Sequence, residues 1–202
     1  MRASRPFVLG LTGGIGCGKS EAARHVKSLG AAHIDAAAIS RGLTAPGGEA
    51  LPEIRRAFGE RVFAPDGTLD RRALAEIVFS DEAAKRRLEG IIHPLVWART
   101  RRALAEVNAP VAVLDVPLLF ESGMDALCDE TWAMSADEAT QIERVRTRDG
   151  LSEAQARARI ANQMPMAERN ARAARVIDSA RPIEDTRAEL ARLYAALLDR
   201  IG

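Results

Sequence analysis

The chain has 202 residues, 47% hydrophobic and 28% charged, and its 29 Lys and Arg against 28 Asp and Glu leave a formal net charge of +1. That length supports one sizeable core with attached lobes, and the near balance of charge argues against a nucleic-acid binder. Two cysteines, Cys17 and Cys128, make no disulfide framework, no apolar run would span a bilayer, and the opening MRASRPFVLGLTGG lacks a leader's apolar stretch, so a soluble cytoplasmic protein is expected.

In chain order, Phe7–Leu11 is a short apolar run that ends in a Gly-rich turn, the pattern of a buried strand. Ala22, Val26 and Leu29 fall at helical spacing within Glu21–Leu29, with Gly30 where a helix stops. Ala32–Ile34 is a second short strand. From Ile39 to about Val107 the pattern is mostly helical, broken by turn signals at Ala45–Gly48 and Ala64–Gly67. Val111–Val116 is a third strand, bracketed by Pro110 and Pro117, and Glu130–Met134 a weaker fourth. Ser135 with Glu138, and Ser152 with Gln155, have the capping-box spacing of helix starts. Asp137–Arg172 is rich in Arg and poor in large apolar residues, which suits a solvent-facing helical arm. Val176–Ile177 is a last short strand and Ile183–Ile201 an amphipathic closing helix. Short strands alternating with helices predict an α/β fold with a parallel sheet flanked by helices.

Gly13-Gly14-Ile15-Gly16-Cys17-Gly18-Lys19-Ser20 matches G-x-x-x-x-G-K-[ST], the phosphate-binding P-loop. Glycines let backbone N–H groups turn inward around phosphates, and the helix that follows points its positive end at the same anion. Lys19 would reach the β- and γ-phosphates of ATP, and the Ser20 hydroxyl would bind Mg²⁺. On this chain's own residue frequencies the four fixed positions coincide by accident in roughly one such chain in a thousand. The strand before and the helix after are also the required context. A P-loop alone does not say which reaction follows.

The loop extends to Leu11-Thr12-Gly13-Gly14-Ile15-Gly16-Cys17-Gly18-Lys19-Ser20, which resembles the opening of the dephospho-CoA kinase family. Further segments resemble that family in order: Ile34-Asp35-Ala36 with Ile39 and Arg41; Phe58-Gly59; Asp66-Gly67-x-Leu69-Asp70-Arg71 with Leu74 and Phe79; His93-Pro94; Pro117–Gly123; Gln141-x-x-Arg144 with Arg148-Asp149-Gly150; Gln163; and Val176-Ile177-Asp178. The resemblance covers nearly the whole chain. It implies a P-loop nucleotide core (5–35, 108–136 and 173–202), a helical substrate lobe (36–107) and a helical lid (137–165). It also implies ATP-dependent phosphorylation of the 3′-hydroxyl of dephospho-CoA with Mg²⁺, the last step of CoA biosynthesis. No protein partner is evident.

Lys19, Asp35 and Arg144 are the candidate catalytic residues; Gly14, Ile15, Gly16, Cys17, Gly18, Lys19 and Ser20 would hold the ATP phosphates. Arg41, His93, Pro117 and Glu121 are the substrate candidates. Asp35 follows a strand at the edge where α/β ligands bind, although Asp there can equally be a helix N-cap. Asp115 either binds Mg²⁺ like a Walker B acid or only bonds to the P-loop. Arg144 shares a helix face with Arg148; a lid arginine would neutralise the transferring phosphoryl group, whereas a solvated basic face would not.

The chain also departs from the family. The resemblance leads one to expect Asp-x-Asp after the second strand, with the second Asp as general base, and Ala37 stands there. Ala173-Ala174 replaces Ala-Asp, and Ser179 replaces an Asn. Ala37 keeps open a nucleotide-binding regulatory module without transfer, and another P-loop nucleoside or nucleotide kinase is the remaining alternative.

Overall fold

The computed structural model describes residues 5–202; Met1–Ser4, the start of the stretch read above for a leader, lie outside that range. The described residues divide into two compact units, 5–35 with 104–202, and Ala36–Ala103.

The first unit is built on five parallel strands: β1 (Phe7–Gly13), β2 (Ala32–Asp35), β3 (Val111–Asp115), β4 (Glu130–Ser135) and β5 (Arg175–Asp178), in the order β2-β3-β1-β4-β5. Every residue of β3 is buried, as is β1 beyond Phe7. That explains why both read as continuous apolar runs rather than alternating ones. The central β1 and β3 lie beside the core formed by Leu9, Leu11, Val26, Val113, Trp132, Met134, Ile177 and Leu190. Helix α1 (Lys19–Ser28) leaves the loop after β1, and the closing helix α9 (Ile183–Ile201) buries Leu190, Leu193, Tyr194 and Leu197.

The second unit is helical, as its pattern predicts: α2 (Ala36–Leu43), α3 (Leu51–Phe58), α4 (Arg71–Ser80) and α5 (Glu82–Ala105), whose last two residues belong to the first unit. Asp70 caps α4 by accepting the N–H groups of Arg72 and Ala73, each at 3.0 Å. Leu43, Ile54, Phe58, Val62 and Leu74 are buried.

The arm after β4 contains α6 (Glu138–Asp149), α7 (Glu153–Ala161) and α8 (Met166–Arg172). The capping box at Ser152 is present, with both reciprocal bonds to Gln155. The one expected at Ser135 is not. Ser135 is still paired in the sheet opposite Asp178, and Asp137 caps α6 instead, accepting the Thr140 N–H at 2.8 Å. Nor is the arm wholly solvent-facing. Ile142, Val145 and Ala156 bury a small core of their own with Ile15, Leu151 and Ile160, while Gln141 and Arg169 are buried as well.

Candidate nucleotide and phosphoryl-transfer site

The Gly-rich turn leaves β1 at the carboxyl edge of the sheet, where open α/β folds bind ligands. Gly16 (φ 80°) and Gly18 (φ 71°) take left-handed backbone angles that L-residues with side chains rarely adopt, so the path itself requires glycine at these two positions. Gly18 is the N-cap of α1 and no side chain caps that helix. Its first N–H groups therefore point into the loop, and the helix dipole adds positive potential there, the arrangement that suits phosphate. The loop is braced from the arm: the Ile15 N–H donates to Gln163 Oε1 at 2.8 Å.

Lys19 makes an ion pair with Asp115 at the end of β3. The other carboxylate oxygen of Asp115 meets His33 Nε2 at 3.3 Å. Burial pushes the Asp115 carboxyl up, but the His33 bond and the Lys19 charge outweigh it and hold it below its ordinary range. Asp115 contacts the P-loop through Lys19, and both of its roles stay open. Asp35 stands opposite Asp115 in the register of β2 and β3, so two carboxylates lie side by side at the strand edge. Ser20 is exposed at the first turn of α1.

Arg144 reaches the loop from α6. Its guanidinium donates to Gly16 O at 3.2 Å, to Ser179 Oγ at 3.2 Å and to Ser179 O at 2.6 Å. The Ser179 hydroxyl in turn donates to Cys17 O at 3.0 Å. Arg148 instead pairs with Asp149 at 2.7 Å on a largely exposed side chain. Cys17 is buried, and its thiol is pushed up by burial, partly countered by a backbone bond to Ala136 and by the charges of Arg169 and Arg144.

Pro117 opens the turn after β3, and the Glu121 carboxylate at its end accepts the Met164 N–H at 3.3 Å and faces Arg169 at 3.7 Å. In the helical unit, Arg41 and His93 line one cavity of about 330 Å³ together with Arg71, Leu74, Phe79 and Ile92. Ala37 is half-buried in the first turn of α2. His33, Arg169 and Ser179 were not singled out as site residues from the sequence. A lone His and one Arg among many carry no local signal, and Ser179 was visible only as a departure.

Sheet, loop and following helix make this a P-loop nucleotide-binding protein. A family model described as dephospho-CoA kinase matches residues 7–185. The dephospho-CoA kinase of Aromatoleum aromaticum is 46% identical over 200 residues, covering 96% of each chain. Among solved structures, TT1252 from Thermus thermophilus superposes with a TM-score of 0.84 at 35% identity, covering 96% of this chain and 99% of that one. The dephospho-CoA kinase from Campylobacter jejuni gives 0.71 at 27% identity, with coverages of 94% and 96%. The chain belongs to the dephospho-CoA kinase family.

Proposed function

We propose that this chain transfers the γ-phosphoryl group of ATP to the 3′-hydroxyl of dephospho-CoA, giving ADP, CoA and a proton. The observation that carries the reading is one Gly-rich loop that brings together the uncapped start of α1, Lys19 and Arg144. Backbone N–H groups of Gly14–Ser20 hold the phosphates. Lys19 exchanges its contact with Asp115 for the β- and γ-phosphate oxygens, and Arg144 neutralises charge on the transferring group.

Ser20 and the paired carboxylates Asp35 and Asp115 suit Mg²⁺. Among the described residues no group of three or more His, Cys, Asp or Glu could hold a metal ion by itself. That accords with Mg²⁺, which takes one or two protein oxygens and fills its shell from phosphates and water. When bound it neutralises charge on the phosphate oxygens. Asp35 orients the attacking hydroxyl, and the cavity with Arg41 and His93 binds the acceptor, its guanidinium groups suiting a diphosphate and its apolar wall the remainder. Pro117 and Glu121 shape the turn beside the nucleotide core.

Coupled ADP release tests the reading. It should depend on dephospho-CoA and disappear in Lys19→Ala with the fold retained. ATP turnover indifferent to dephospho-CoA would favour the regulatory module, and near-parental turnover in Lys19→Ala at saturating ATP would sink the P-loop assignment.

A further inference from the structure

Arg169, on α8, is the one buried basic side chain among the described residues, 3% exposed where the neighbouring arginines of the arm lie open to water. Burying a guanidinium is costly unless its charge is matched. Here the match is incomplete. Of its five N–H donors, one on Nη2 reaches Met164 O at 2.9 Å, and Nε–H has no partner. Glu121 forms an ion pair with it at 3.7 Å, too long for a hydrogen bond, and shares that carboxylate oxygen with the Met164 N–H, so the charge is opposed but only loosely.

The location gives this loosely paired charge a use. A Cβ built on Gly14 would lie 3.2 Å from Arg169 Nη1 and 3.1 Å from Gln141 Oε1, so the guanidinium packs directly against the back of the phosphate loop. The same charge is felt by Cys17 further along the loop. Met164, which Arg169 holds by its carbonyl, follows Gln163, whose side chain braces the Ile15 N–H. Arg169 thus lies against the loop at Gly14, holds the residue next to the one that braces Ile15, and is shielded from water that would screen it.

We infer that Arg169 is a second arginine of the phosphate site, a buried and under-neutralised cation behind Gly14 that strengthens binding of the nucleotide's phosphates through the loop without touching them. It is a positioning residue, and Glu121 sets how much of its charge is left over for the nucleotide. The inference rests on the proposal that the loop binds ATP.

The test measures ADP affinity by calorimetry at two ionic strengths in the parental chain, Arg169→Met, Arg169→Lys and Glu121→Gln, with Lys19→Ala as the control for loss of phosphate binding. Folding is checked by thermal melts. Arg169→Met should bind ADP about tenfold more weakly, with a shallower salt dependence, and Arg169→Lys should recover most of the loss because it keeps the charge. Glu121→Gln should bind ADP a few-fold more tightly. A folded Arg169→Met with parental affinity overturns the inference, as does Arg169→Lys no better than Arg169→Met, which would mean a purely structural fork. If Arg169→Met does not fold, Glu121→Gln decides: unchanged or weaker ADP binding overturns the inference. A parental chain that binds no ADP sinks the phosphate-loop reading itself and this inference with it, whereas retained parental binding alongside either of the other failures leaves that reading intact.

Discussion

The Arg144 guanidinium is clamped on Ser179, donating to its carbonyl oxygen at 2.6 Å and to its hydroxyl at 3.2 Å, and through Gly16 O it rests on the P-loop. The arginine is therefore held at the loop by the backbone of the segment after β5. Arg144→Ala should lower turnover by on the order of a thousandfold, the magnitude of a catalytic arginine, while ATP affinity falls far less. Steady-state rates with a separate measurement of ATP binding decide it. Unchanged turnover would leave Arg144 as a structural clamp.

Ala37→Asp should raise the transfer rate. A ribose hydroxyl is a poor nucleophile near neutral pH, and a carboxylate two residues beyond Asp35 can accept its proton as the phosphoryl group arrives. General-base assistance is typically worth about a hundred- to ten-thousandfold, and phosphoryl transfer, which leans on positioning, belongs at the low end. Affinity for dephospho-CoA should change little, since the effect belongs to the transition state. Turnover of both proteins at saturating substrates is the measurement. Equal, high rates would show that Asp35 or another group already does this work.

The two thiols should be inert in the native protein. Burial and the charges of Asp125 and Asp129 push the Cys128 thiol up to about 12, and burial also raises Cys17. The thiolate is the reactive form, so neither should react with a disulfide reagent at pH 8 until the chain is unfolded, when both should titrate. Rapid native labelling at Cys17 would mean that the loop opens without unfolding.

Acid should weaken the fold partly through Glu130. Burial raises this carboxyl, but the Trp132 Nε1–H bond at 2.8 Å, the Arg200 contact and the Arg175 bond at 3.1 Å bring it below the ordinary range. A folded-state value below the unfolded one gives stability that is complete above the ordinary glutamate value of about 4.3 and is lost as pH falls through the folded value. Thermal midpoints from pH 7 to 3 should show Glu130→Gln less stable than the parent at neutral pH, with the gap closing in acid. A gap independent of pH would remove the charge from this account.

Much of the fold was legible because the central strands β1 and β3 are apolar runs cut off by Gly and Asp, and because Ile183–Ile201 has one continuous apolar face. The P-loop was legible for a different reason: positive backbone angles at Gly16 and Gly18 leave little choice of residue. What could not be read is whatever depends on partners far along the chain. Ser135 looks like a helix cap until its pairing with Asp178 is known. Arg169 looks like any other arginine of the arm until α8 lays it against Gly14. Asp115 gave no sign in the sequence that it would pair with Lys19, 96 residues away.

The strand order also determines when the phosphate loop can exist. Synthesis makes β1 first, yet Phe7 pairs with Val111 and Leu9 with Glu130. While the ribosome is adding residues at about 5–20 per second, the loop's strand waits without a partner until β3 and β4 emerge, and the helical stretch Ala36–Ala103, rich in local contacts, is made in between. A stalled or truncated chain ending before Val111 would carry the whole Gly-rich motif and still have no sheet to hold it in shape. Nascent chains halted on either side of β4 should differ sharply in their retention of ATP.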